Sequence, residues 1–229
     1  MSAPLLFIAS DRREAEPFTS TWTSSDPLRI PVHWARTGIW HGRDVIAVAN
    51  GVGATHARSG ITAALAATQG LSGISSIGTG GALDPSLAIA EIVVATSVNN
   101  SPALDPHGPP ARAGLVHSSP HIARTREEKQ NLSATGAILV EMEAAGVAQF
   151  AQELAVPFYC IRAVSDLANE SFFTDFEAFL TPEGRFSTPR LALHALAHPV
   201  KGLGELLRLQ RRSAAAARNL ANYLDNCKF

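Results

Sequence analysis

The sequence predicts an α/β protein with a mixed sheet covered by helices, and three observations carry that expectation. Short apolar runs rich in Val, Ile and Phe recur between turn residues, as buried strands do. Helical patterns lie between several of them, the alternation of a sheet layered with helices. Two runs, Val32–Arg36 and Val45–Ala49, follow one another with no helix between them. They imply a hairpin, and so an antiparallel pair within the sheet.

Strands are expected at Leu5–Ala9, Val32–Arg36, Val45–Ala49, Ile74–Ile77, Ile92–Ala95, Ile138–Glu141 and Phe158–Val164. Helices are expected at Thr55–Thr68, Arg126–Ala134, Ala144–Leu154, Pro189–Ala197 and Leu203–Tyr223. Asn99–Gly114 holds four prolines and two glycines without a period, and reads as a loop. The tail helix carries Arg208, Arg211, Arg212 and Arg218 among leucines and alanines. Such a helix either touches a membrane or a partner, or packs by its apolar side with the basic face solvated; the second reading is preferred.

The 229 residues are 46% hydrophobic and 17% charged, enough for one domain over 1–229 with a sizeable core. A net charge of −1 lacks the basic footprint of a nucleic-acid binder. No apolar run is long enough to cross a bilayer. The N-terminus has neither the basic start nor the long apolar core of a signal peptide. A cytoplasmic protein is expected. Cys160 and Cys227 lie too far apart to suggest a disulfide framework or a zinc knuckle. The pairs His117/His121 and His194/His198 lack the glutamate of a zinc-protease helix. No metal and no cofactor are expected.

Two glycine-rich turns follow strands. Asn50–Ala57, NGVGATHA, starts like a dinucleotide fingerprint but has His56 at the sixth position. Ile77–Leu83, IGTGGAL, lacks the Lys-Ser/Thr of a phosphate loop. Its glycines still let backbone N–H groups approach a ligand, or simply make a tight turn. The carboxylates are more telling. Glu14 and Glu16 follow the first strand, Glu141 and Glu143 end a later one, and Asp166 ends the last. Open α/β sheets bind ligands at the carboxyl ends of their strands, where carboxylates in different environments can divide acid and base roles. Taken singly, each has a plainer reading; Glu143 would complement the dipole of the helix that follows it.

At these residues the chain resembles the nucleoside phosphorylase/nucleosidase superfamily, which includes the methylthioadenosine/S-adenosylhomocysteine nucleosidases. The resemblance runs in order through Glu14, NGVG at Asn50–Gly53, Gly78–Thr96, VEMEAAGVA at Val140–Ala148 and VPFYCIRAVSD at Val156–Asp166. The last two stretches are the specific ones. The tail is similar to the hopanoid-associated phosphorylase-like branch. The resemblance implies a three-layer α/β/α fold, a nucleoside substrate, cleavage of a ribosyl N-glycosidic bond, and a homodimer or higher homo-oligomer. It implies that Glu143 holds the ribose hydroxyls with Met142 beneath the sugar and Glu141 beside them. Asp166, oriented by Ser165, protonates the purine, having either a raised pKa or a proton taken from solvent. Glu14 activates water, Arg162 helps place it, and Thr79 and Gly80 face it. His121 or Ile122 stands where an aromatic residue meets the purine. Ser76 occupies the position of a phosphate-binding arginine in the hexameric phosphorylases, which favours hydrolysis; Arg12 and Arg13 leave phosphorolysis as the alternative. The Thr96–His121 segment is shorter than in the usual nucleosidases, so the 5′ substituent is not named. A nucleoside-binding protein without turnover is the reading of another class, and the position of Glu14 discriminates it.

Overall fold

The computed structural model describes residues 3–229. In chain order the elements are β1 (Leu5–Ala9), α1 (Arg12–Thr19), β2 (Ser24–Pro27), β3 (Trp34–Trp40), β4 (Arg43–Ala49), α2 (Ala54–Leu65), β5 (Gly73–Ala82) and β6 (Ile92–Val98). There follow β7 (Ser101–Pro102), β8 (Arg112–Ser118), α3 (Arg126–Ser133), β9 (Ala137–Glu141), α4 (Ala144–Glu153), β10 (Phe158–Asp166), α5 (Thr188–Ala197) and α6 (Gly204–Leu224).

The sheet is mixed, as expected. β4, β1, β5 and β10 run parallel, and β2 and β3 continue the sheet antiparallel beyond β4. On the other side β10, β6, β8 and β9 follow in order, and β9 returns to pair with the end of β5. Five strands therefore close on one another, and β5 is the strand on which both halves meet. Its length allows this: Leu5 to Ile8 pair with Gly73 to Ser76, whereas Val140 pairs with Gly81. At the crossing, a Cβ on Gly80 would lie 2.5 Å from Leu139 and 2.8 Å from the Val140 carbonyl oxygen.

Helices cover both faces. α2 and α4 bury Ile61, Ala64, Val147 and Ala151 against one side of the sheet. α1 and the second half of α6 bury Phe18, Ala216, Leu220 and Leu224 against the other. The result is three layers. Phe7, Phe18 and Trp40 meet edge-on at 4.8–6.0 Å in the second core, geometries favoured by the ring quadrupoles.

Several elements depart from expectation. β2 has no apolar run to announce it. α1 is short and contains Pro17, with Ala15 and Phe18 as its buried apolar residues. It forms because Asp11 and Glu14 make a capping box, which satisfies two of the orphan N–H donors of its first turn. The hairpin strand expected at Val32–Arg36 lies instead at Trp34–Trp40; His41 and Gly42, at φ 47° and 77°, form the left-handed two-residue turn that suits a twisted hairpin. The loop expected at Asn99–Gly114 gives up its ends to β7 and the start of β8, because β6 and β9 offer ladder partners that local propensity does not foresee.

Candidate active site

The carboxyl ends of β1, β4, β5, β9 and β10 converge on one region, and each brings a chemical group. From β1 comes Glu14, one turn into α1. Five donors point at its two oxygens: the Thr79 N–H and hydroxyl, both 2.8 Å from Oε1, and the Ser10 hydroxyl at 2.8 Å, Ser10 N–H at 3.2 Å and Asp11 N–H at 3.4 Å from Oε2. Glycine makes this possible. Gly78 has φ 152°, and a Cβ there would stand 2.9 Å from the Glu14 carboxylate. The glycine-rich end of β5 is strand rather than the expected turn, and it seats Glu14 rather than a phosphate.

β9 brings two glutamates with separate fates. Glu141 is buried, and its Oε2 accepts from the Arg162 guanidinium and from the Glu143 and Ala144 N–H groups at 2.9 and 2.8 Å. It caps α4 and neutralises a buried cation; it is not exposed to a ligand in the way the sugar-contact expectation required. Arg162 is 1% exposed and also donates to the Ser76 hydroxyl at 2.7 Å. Glu143 is buried beside Gly53, a residue of the cleft wall, with Oε1 accepting from the Gly53 N–H at 2.9 Å and Oε2 4.0 Å from Arg162. Its burial, then the Glu141 carboxylate and, more weakly, that of Glu14, push its pKa up to about 8 against the pull of Arg162. The Gly51 N–H donates to the Ser10 carbonyl at 2.9 Å and the Gly53 N–H donates to Glu143, so the loop after β4 joins the seats of the two carboxylates.

β10 ends in Asp166. Ser165 donates to its Oδ1 at 2.8 Å and also reaches the Gly80 carbonyl at 3.1 Å. Its other oxygen is ion-paired with Lys129, a buried ammonium on α3 that also donates to the Leu167 carbonyl at 2.8 Å and lies 5.2 Å from the centre of the Phe172 ring. A Cβ on Gly81 would stand 2.8 Å from Asp166, so this glycine too clears space for a carboxylate. Lys129 was invisible to sequence reasoning. It sits in REEKQNLS, where a lysine ordinarily faces solvent.

Beside these groups, at Gly53 and Met142, lies an open cleft of about 420 Å³, lined also by Val52, His56 and Ser118. Thr79 and Ser165 contact Glu14 and Asp166 directly, Gly80 accepts from Ser165, and Met142 lines the cleft. His121 does not join them: its side chain is 78% exposed and lies 3.4 Å from Glu177. Ile122 donates its N–H to the same glutamate. Arg12 and Arg13 are turned into exposed ion pairs with Glu16 and Asp11. A turn held by the Leu180–Phe186 bridge leans on the cleft, with the Val52 N–H donating to the Gly184 carbonyl at 2.8 Å.

Comparison with known proteins gives a consistent picture. The family model described as the phosphorylase superfamily matches residues 7–123 and 102–183. A curated 5′-methylthioadenosine/S-adenosylhomocysteine nucleosidase from Staphylococcus aureus (strain JH9) is 42% identical over 72 residues, 31% of this chain. The match spans about a third of that relative's length, 32%. Among solved structures, a mutant nucleosidase of Helicobacter pylori with 5′-methylthioadenosine in the active site superposes with a TM-score of 0.71 at 17% identity, over 98% of this chain and 97% of that one. The nucleosidase of Colwellia psychrerythraea 34H in complex with adenine gives 0.71 at 19% identity over 99% and 94%. A futalosine hydrolase from Helicobacter pylori gives 0.71 at 18% identity over 98% and 96%. At these identities the likeness establishes the fold.

Proposed function

The chain belongs to the phosphorylase superfamily, and from that premise we propose that it is a nucleosidase hydrolysing the N-glycosidic bond of a purine nucleoside, adenosine-like and modified at the 5′ position. One observation carries this reading: Glu14 is seated by Ser10 and Thr79, the loop after β4 bonds both Ser10 and Glu143, and Asp166 ends the strand beside β5.

Cleavage passes through an oxocarbenium ion and leaves electron density on the purine. Glu143 accepts the ribose hydroxyls; those donors favour its charged form, and the anion then stabilises the sugar cation. Glu14 takes a proton from the attacking water, the Ser10 and Thr79 hydroxyls rotating to admit it. Asp166 delivers a proton to purine N7. Lys129 lies against the second oxygen of Asp166 and is a nearer proton source than solvent. An ion-paired Asp166 is a carboxylate, so it first takes a proton from the Lys129 ammonium and then passes it to N7; Lys129 is left neutral, and solvent restores it after base release. Lys129→Met is expected to lower kcat about 100-fold, the scale of a general-acid contribution, with KM moving little. A fall in KM and kcat together, tracking lost folding, would reduce Lys129 to a structural cation.

Water is favoured over phosphate because Arg12, Arg13 and Arg162 are each committed to a carboxylate and Ser76 is neutral and buried beneath Arg162. A phosphorylase needs cations free to meet phosphate. The test is base release from adenosine, inosine, methylthioadenosine and S-adenosylhomocysteine, with and without phosphate, using Asp166→Asn as control. Release without phosphate that the variant loses is the expected result. Release only with phosphate makes the protein a phosphorylase, and binding without release makes it a sensor.

A further inference from the structure

The run from α5 through the π-turn at Pro199–Leu203 into α6 has its polarity reversed with respect to solvent. Facing the body of the protein are Ala195, Gly202 and buried Glu205, whose carboxylate accepts the Phe173 and Thr174 N–H groups at 2.8 Å each. His194 joins this side, its ring 5.2 Å from Phe179. Facing out are Leu193, Leu196, Val200, Leu203 and Leu207, exposed by 70%, 71%, 89%, 39% and 44%. Their spacing of three and four residues repeats that of one helical stripe. A solvated helix puts its carboxylates outward and its leucines inward. Here the opposite holds, and a contiguous apolar ridge of this kind marks a surface meant for something apolar.

The charges choose the occupant. Residues 188–212 carry Arg190, Lys201, Arg208, Arg211 and Arg212 against the single acid Glu205, in a chain whose net charge is −1. Arg212 is taken up by Glu170 at 2.7 Å, Arg190 donates to the Ala178 carbonyl over the Phe179 ring, and Lys201 lies 5.7 Å from the Phe173 ring, while Arg208 and Arg211 are exposed near the ridge. A second copy of the same ridge would bring these two cations against their own copies across a two-fold axis. An anionic lipid surface accepts both features at once: leucines enter the headgroup–acyl boundary, and Arg208 and Arg211 meet the lipid charges. We infer that the α5–α6 ridge docks this protein on an anionic bilayer surface as a peripheral protein. The inference is independent of the nucleosidase reading. Among the described residues no helix is long and apolar enough to cross a membrane, so docking is lateral.

The experiment is co-sedimentation of the full chain with vesicles of phosphatidylcholine containing about one-third phosphatidylglycerol, against phosphatidylcholine alone and across a salt series. Wild-type protein is expected to sediment with the anionic vesicles and to be released by salt. Leu196→Glu/Val200→Glu is expected to weaken that binding at least ~10-fold, with an unchanged Tm because both side chains lie in solvent in the free protein. Failure of the wild-type chain to bind anionic vesicles overturns the inference. So does a wild-type dimer, seen by sedimentation velocity, that the double variant turns into monomer, since the ridge would then be covered by a second copy.

Discussion

Glu14→Gln is expected to lower the rate of base release by about 10³-fold, within the range a general base contributes, while leaving adenine binding nearly intact. The amide keeps the size of the carboxyl and can still accept from Thr79, but it cannot take a proton from water. Its NH₂ group would also face the Ser10 and Asp11 N–H donors that now point at Oε2. That mismatch costs about 1 kcal/mol of stability, the scale of a lost capping interaction, so the variant should remain folded. Single-turnover base release with a thermal-unfolding control checks the expectation. Activity within tenfold of wild type would remove Glu14 from the reaction and return the role of base to another group.

Arg162→Met should have the largest effect on stability. The guanidinium is 1% exposed, as is the side chain of Glu141 that it neutralises, and Glu143 lies 4.0 Å away. Removing the cation leaves Glu141 buried beside a second carboxyl group with only the two N–H donors of α4. Breaking such a pair costs about 3–5 kcal/mol, a large part of the stability of an ordinary domain. The double variant Arg162→Met/Glu141→Gln removes the orphaned charge and should recover most of the loss, since a buried ion pair replaced as a unit is close to neutral. Urea unfolding distinguishes the cases. A single-variant loss below about 1 kcal/mol would mean that water reaches Glu141 and that the pair is not the keystone of this region.

Much of this architecture was legible in the chain. β1, β4, β9 and β10 lie where the Val/Ile-rich runs put them, and α2 to α6 where the helical patterns do. The same reading missed β2 and α1; RREAEPFT offers only Ala15 and Phe18 as apolar residues to the core, and its eight-residue helix depends on its cap. It extended the irregular segment through the start of β8, a strand that exists because neighbours on both sides pair with it. In the site, the strand-end positions of Glu14, Glu143 and Asp166 were readable, and so was Ser165 beside Asp166. His121 was expected at the purine, but its ring is exposed beside Glu177. Lys129 escaped notice altogether, because nothing in a polar helix marks which residue will be turned inward.

The stretch Gly78–Gly81, read as a turn, is instead the last part of β5. By itself, the sequence determined most of the strands, the helices with clear periodicity and the set of carboxylates near strand ends. These are local matters of pattern and turn chemistry. Only the tertiary structure decided what each carboxylate does. Glu141 and Glu143 are two residues apart, yet one is locked to Arg162 and the other accepts from the Gly53 N–H in the wall of the cleft. Asp166 acquires a cation from a residue 37 positions earlier. The ridge on α5 and α6 likewise reads as an ordinary amphipathic tail until its leucines are found outside. The physical reason is common to all three. Burial and charge pairing are set by the closing of β9 onto β5 and by which helix face meets the sheet. Those are long-range contacts, whose partners carry no local mark in the chain.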